Sequence, residues 1–338
     1  MSALLAVEDV RVRFRVRSGL QALVARDRDP FIDAVCGVSF EVGAGETFGI
    51  VGESGSGKTT LARAIAGLLP AQEGSIRYGE RELRGLAPGA FKALRRDIAM
   101  MFQDPIGSLS PRLTVRSLVT EPFKIHGLAN RDLEAECRRL LEMVGLPAHL
   151  GGRYPYQLSG GQARRVGVAR ALALSPKLVI ADEPTAGLDV SVQGEVLNLL
   201  ARLQDQLGIA IVIITHNLNV VRHITDRMAI MYLGRFVELG PTEAIFAQPR
   251  HPYSLALLAA NPEPDPDAQL ARIELAGEVP SLLARPPGCE FHTRCPFAQA
   301  RCGGEVPAER VEAAGRRYVC HFPLDGERGG VVAAGGLT

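Results

Sequence analysis

Two glycine-rich turns carry the residue types most able to do chemistry: GESGSGKTT at 52–60 and LSGGQ at 158–162. The first has the spacing Gly52-x4-Gly57-Lys58-Thr59. Its small residues Gly52, Ser54, Gly55 and Gly57 let backbone N–H groups converge on phosphate oxygens, and a following helix adds its N-terminal positive charge. Lys58 is placed to hold β- and γ-phosphates, and the Thr59 hydroxyl, with Thr60 beside it, to meet Mg²⁺. In the second turn Ser159 has the chemistry of a helix N-cap, and Gly160, Gly161 and Gln162 allow close approach to an anion. A purely structural cap would account for that string alone. The first turn already serves a phosphate, so the second is expected to serve the nucleotide of another subunit. That arrangement clamps a nucleotide between two copies of a domain.

Further groups fall where such a nucleotide would be worked on. Asp182 closes the apolar run LVIAD, and a carboxylate at a strand end can reach a Mg²⁺ held by a neighbouring phosphate loop. Glu183 stands one step nearer the terminal phosphate, suited to act as general base for an attacking water. His216 ends IAIVIITH at 209–216. That edge position favours contact with the γ-phosphate over an ordinary structural role. Gln103, after IAMMF, is an uncharged donor and acceptor able to meet both Mg²⁺ and the water.

These groups need an α/β scaffold to position them. Residues 4–14 and 34–42 alternate apolar and polar types as half-buried strands do. The stretch 45–51 reads as a buried strand entering the first turn, and 60–69 as a helix leaving it. Strand, glycine turn, helix is the context a phosphate loop requires. Continuous apolar runs at 178–183 and 209–216 fit a parallel sheet covered on both faces, with a helix at 191–207 between them. From about 104 to 173 helical patterning dominates: within 131–144, Leu133, Cys137, Leu140, Leu141 and Val144 share one face. This reads as a helical subdomain inserted into the core. The charged stretch at 26–30 reads as a loop, the proline- and acid-rich 258–287 as a linker, and 325–338 as a disordered tail.

With 338 residues, 46% hydrophobic and 22% charged, the chain can bury a sizeable core. Lys+Arg 38 against Asp+Glu 37 leave a net charge of +1. That offers no electrostatic footprint for nucleic acid or an anionic membrane, so no nucleic-acid partner is expected. The pairs Arg95-Arg96 and Arg164-Arg165 read as solvated helix faces. No signal-peptide pattern opens the chain, and no run approaches the ~18 apolar residues of a membrane span. A cytoplasmic protein that reaches a membrane only through a partner is expected.

In order, GESGSGKTT, Gln103, LSGGQ, LVIADE, AGLD at 186–189 and His216 resemble the Walker A, Q-loop, signature, Walker B, D-loop and switch histidine of an ABC-transporter ATPase. Finer strings resemble the ATPases of oligopeptide/dipeptide importers: FQDPIGSLSPR (102–112), ADEPTAGLDVSVQ (181–193), MYLGRFVELG (231–240), HPYSLALL (251–258) and the tail PGCEFHTRCPFAQARC…YVCH. The resemblance spans nearly the whole chain. It implies an α/β, P-loop NTPase (RecA-like) core with an inserted helical subdomain and an antiparallel β arm over 1–257, plus a small cysteine-rich, metal-binding extension at 288–324. It implies ATP and Mg²⁺ as ligands, with Phe14 stacking on adenine; an ordinary strand phenylalanine is the other reading of that residue. The D-loop reads AGLD where SALD is commoner, which keeps Asp189 but removes a hydroxyl. The partners implied are a second ABC ATPase subunit, as homo- or heterodimer, and two transmembrane permease subunits touched just after Gln103. An extracytoplasmic substrate-binding protein would act indirectly. The location implied is the cytoplasmic face of the inner membrane, as a peripheral subunit. ATP-driven dimer closure would drive the permease, and hydrolysis would reset it.

Of the six cysteines, Cys36 and Cys137 read as inert core residues. Cys289, Cys295, Cys302 and Cys320 lie in a proline-broken, loop-like segment with too few apolar residues to fold alone, separated by five, six and seventeen residues. Disulfides are unusual in a cytoplasmic protein, and the spacing lacks the CxxC knuckles of common zinc sites. Four thiolates beside Phe291, Phe297 and Phe322 suit a [4Fe–4S] cluster, and members of the resembled subgroup carry one in this extension. Zinc, with His292 or His321 as alternative ligands, and an unliganded tail are the other readings. Every catalytic group precedes the linker, so hydrolysis is expected to be independent of the tail. Two rival functions remain at this level. A soluble ABC ATPase acting on nucleic acid or ribosomes is opposed by the neutral charge and the single nucleotide domain. An iron–sulfur redox protein with a secondary ATP site would need a flavoprotein partner.

Overall fold

The computed structural model describes residues 3–15, 31–104, 107–128, 130–260, 275 and 277–325. The loop expected at 26–30, much of the linker and the tail beyond 325 lie outside the described residues. Among those described, the strands are β1 (Leu5–Arg15), β2 (Phe31–Val42), β3 (Thr47–Val51), β4 (Glu73–Tyr78), β5 (Arg81–Glu82), β6 (Ile98–Met101), β7 (Leu178–Asp182), β8 (Ala210–Thr215), β9 (Arg227–Tyr232), β10 (Arg235–Pro241), β11 (Glu309–Val311) and β12 (Arg317–Val319). The order β2-β1-β4-β5 forms an antiparallel arm, and β11-β12-β10-β9-β3-β8-β7-β6 the main sheet. Its β9-β3-β8-β7-β6 portion is parallel.

Strands β3, β7 and β8 are buried at every residue, which explains their unbroken apolar runs. In β8, Val212 and Ile214 join the apolar cluster shared with the arm, while Ile211 and Ile213 join the one under the helices. That period of two is the pleat of a strand covered on both faces.

The helical region expected at 104–173 is present. It holds helices Val115–Ile125, Leu133–Met143 and Gly160–Ala171, begun by side-chain caps from Thr114, Asp132 and Ser159. Cys137, Leu140 and Leu141 supply the buried face of the second, followed by buried Val144. Cys36 and Cys137 are buried, and burial pushes both thiols up in pKa.

The last segment departs from its loop-like reading. Strand β12 pairs with the edge of β10 (Glu238 with Tyr318, Leu239 with Arg317), and β11 pairs with β12. Three-residue strands are too short for alternation to show in sequence. The junction is pinned by Arg316, whose guanidinium donates to the buried Glu238 carboxylate at 2.5 Å. Phe291, fully buried, inserts among Tyr232, Tyr253 and His251. Such burial contributes about 1.5–3 kcal/mol. The segment lacks a core of its own and borrows that of the main sheet.

Candidate nucleotide site

Because β3, β8 and β7 are adjacent and parallel, their carboxyl ends lie side by side, with Val51 paired to Thr215 and Asp182 to Ile214. Ligand sites form at such ends. From β3 the chain turns through the glycine loop into helix Lys58–Ile65. Glycine is required at two points. A Cβ at Gly52 would strike the Met231 carbonyl oxygen, and Gly57 has φ +101 with the Ala34 carbonyl behind it. Lys58 is buried and folds its ammonium into the loop, donating to the carbonyl oxygens of Gly52 (2.7 Å) and Glu53 (2.8 Å) and to Ser56 Oγ (3.2 Å). Burial lowers its pKa, while Glu183 and Asp182 pull it back up.

Thr59 Oγ1 donates to Asp182 Oδ1 at 3.0 Å. A hydroxyl and a carboxylate meeting beside a phosphate loop form a donor set for a hard cation such as Mg²⁺. Burial raises the Asp182 pKa, and the Thr59 hydrogen bond lowers it. Glu183 adopts φ +50, a left-handed conformation that costs about 1–3 kcal/mol outside glycine. Its carboxylate is tied to the end of β8. Thr215 Oγ1 donates to Oε2 at 3.2 Å, the His216 backbone N–H to Oε1 at 3.1 Å, and His216 Nδ1 lies 2.7 Å from Oε1.

One cavity gathers most of the residues picked out from sequence. Its walls include Gly52, Ser54, Gly55, Gly57, Lys58, Thr59 and Thr60, together with Phe14, Gln103, Glu183 and His216. Asp182 joins through Thr59. Phe14 is 39% exposed, so it is no core residue, and Ile32, Ala34, Leu257 and Leu282 share its cavity. Ser159, Gly160, Gly161, Gln162 and Asp189 are not among the walls. Ser159 and Gln162 form a reciprocal capping box on helix Gly160–Ala171, and Asp189 caps helix Val190–Leu207.

A second, small cavity is lined by Cys289, Cys295, Cys302 and Cys320 with Phe291, Phe297 and Phe322. Burial, helped by the neighbouring thiols, pushes Cys295 up to about 12 and Cys320 to about 11. Among the described residues no three His, Cys, Asp or Glu stand close enough to hold a single metal ion. Rings of His292 and His321 bond instead to the carbonyl oxygens of Cys289 and Glu305.

Comparison with known proteins decides the family. The model described as "ABC transporter" matches residues 35–186, and "Oligopeptide/dipeptide transporter, C-terminal region" matches 237–302. The oligopeptide transport ATP-binding protein OppF of Escherichia coli is 43% identical over 326 residues, spanning 95% of this chain and 96% of its own. The di/tripeptide transport ATP-binding protein DppF of Pseudomonas aeruginosa is 42% identical over 322 residues, spanning 95% and 98%. This chain belongs to the ABC-transporter ATP-binding subunits of the oligopeptide/dipeptide importer family. Among solved structures, the ATP-binding cassette MJ0796, a dimer in a post-hydrolysis state with ADP and Pi, matches with TM-score 0.61 at 28% identity. That match covers 70% of this chain and 98% of the other.

In this ABC ATPase the structure adds residues that sequence reasoning missed. Arg164, read as part of a solvated face, is 5% exposed and donates to the carbonyl oxygens of Pro184 and, at 2.8 Å, Ala186. Only Arg165 meets the outer face, where it pairs with Glu195. Glu53 donates its N–H to Tyr253 Oη at 3.1 Å and is gripped by Arg294 of the cysteine-rich segment. The HPYSLALL string contains Tyr253 and Leu257, a signal that could have placed them at the site. For Arg164, Leu282 and Arg294 no local signal exists.

Proposed function

We propose that this ATPase powers a peptide-class importer, using ATP-driven closure of a cassette dimer to move two permease subunits. The observation that carries the reading is a cavity uniting the glycine loop with Glu183, His216 and Gln103, while Ser159–Gln162 and Asp189 stand outside it. A site so divided is completed by a second cassette, which presents its own LSGGQ turn and D-loop. Strong similarity to named peptide-transport subunits supports the cargo class.

Within one site, Phe14 stacks on the base, and the loop N–H groups with Lys58 orient the triphosphate. Thr59, Asp182 and Gln103 would hold Mg²⁺, which supplies charge neutralisation on the phosphate oxygens. Glu183 takes the proton of the attacking water onto its carboxylate, and Thr215 and His216 hold that carboxylate in place.

A groove lined by Phe102, Ile125, His126, Arg95 and Arg96 opens beside the Gln103 segment, since Phe102 is the residue immediately before Gln103. Phe102 and Ile125 expose about half their surface (45% and 53%), which supports permease docking there. Among the described residues no helix is long and apolar enough to cross a membrane. Attachment at the cytoplasmic face through the permease, with an extracytoplasmic binding protein delivering cargo, fits that.

The cysteine cavity is read as a [4Fe–4S] site. Four soft thiol donors in an aromatic shell suit it. A single zinc held by the same thiols is the alternative reading.

Reconstitution with its permease pair and binding protein tests the function. Peptide-stimulated ATP hydrolysis is expected; co-purification with ribosomes or nucleic acid, and not with a permease, would contradict it.

A further inference from the structure

Arg294 lies between Phe291 and Cys295, 241 residues from the glycine loop in sequence. Its guanidinium grips the Glu53 carboxylate with both prongs, Nη1 to Oε2 at 2.8 Å and Nη2 to Oε1 at 3.0 Å. The Arg294 side chain is 7% exposed and sits 6.0 Å above the Tyr232 ring. Paired forks of this kind fix both position and orientation.

Every polar handle of Glu53 is engaged. Beyond the carboxylate, its N–H donates to Tyr253 Oη, and its carbonyl accepts from Lys58 Nζ at 2.8 Å and from the Ser56 N–H at 3.2 Å. Glu53 therefore connects the cysteine-rich segment directly to the lysine of the loop. Charge gives the contact its purpose. A bare carboxylate beside Gly52 would repel a triphosphate in the same loop. Arg294 cancels it. Leu282, C-terminal to the cassette strands, lines the same cavity as the loop.

We propose that the C-terminal extension completes the nucleotide site, with Arg294 as a positioning residue that neutralises and fixes Glu53 for triphosphate binding. This departs from the expectation that hydrolysis is independent of the tail. It rests on reading 52–60 as the phosphate cradle.

The test is titration of the full chain with a fluorescent ATP analogue, beside urea unfolding of each variant. Arg294→Met keeps the apolar stem over Tyr232 but loses the charge, and should weaken binding on the order of tenfold or more, the loss expected for one charge-assisted pair. Adding Glu53→Gln to it should restore most of the loss, because the uncompensated carboxylate is then gone. A merely structural role would show its loss and rescue in the urea midpoint, with the affinity of the folded variants unmoved. Arg294→Lys, with charge but no fork, should fall between, and decides alone if the Met variant does not fold. Wild-type affinity in the folded Arg294 variants, or a double variant no tighter than Arg294→Met, would overturn the proposal. Lys58→Ala is the control. If it binds normally, the cradle reading itself falls; if it loses binding while Arg294 variants keep theirs, only the inference fails.

Discussion

Arg164, in the helix that opens at Gly160, donates to the backbone of the loop that follows Glu183, at Pro184 and Ala186. One buried side chain thus joins the LSGGQ helix to the segment leading to Asp189. Arg164→Ala would leave two carbonyls without their donor. Stability should fall by about 1–3 kcal/mol in urea unfolding, and ATP turnover should fall with it. Arg164→Lys should not restore both bonds, since lysine lacks the planar fork. An unchanged unfolding midpoint would show the contact to be unimportant.

Ser159→Arg should separate binding from turnover. The substitution removes a capping box worth about 1 kcal/mol and places a bulky cation on the surface offered to the partner's nucleotide. Ser159 is not a wall of the cavity at β3, so the variant should still bind ATP while hydrolysis falls to near background. Full turnover would contradict a site shared between cassettes.

The candidate phosphate site was legible because its residues fall in short strings, each at the carboxyl end of a buried strand. Gly52 to Thr59 leaves β3, Asp182 closes β7 with Glu183 next to it, and His216 directly follows β8. The helical subdomain was legible through its 3.6 period, with Cys137, Leu140 and Leu141 buried as patterned. What stayed hidden depends on contacts between distant residues. Arg294 and Glu53 meet only because the extension docks on β10, and strands of three residues carry no period to announce that. Arg164 looks like any surface arginine beside Arg165 until the loop at 184–186 folds over it. Phe14 had two readings on an alternating strand; its exposure at the cavity favours the ligand over the core.

Protein purified without oxygen should be brown, with iron and acid-labile sulfide each about four per chain. Replacing Cys289, Cys295, Cys302 or Cys320 by serine should bleach it and loosen residues 288–324 to proteolysis. Through Arg294 and Glu53 the same variants should also weaken ATP binding. Stoichiometric zinc in colourless protein would replace the cluster by a zinc site, and an ordered tail without metal would remove both.

The most direct measurement is single-turnover ATP hydrolysis by Glu183→Gln in the assembled transporter. Glutamine can keep the bond from Thr215 but cannot accept the proton of the attacking water. Hydrolysis should slow by about 10²–10⁴-fold with ATP affinity retained, and the isolated variant ATPase should accumulate as an ATP-bound dimer on size exclusion. Turnover within a few-fold of wild type would contradict the assignment of Glu183 as the base on which the site depends.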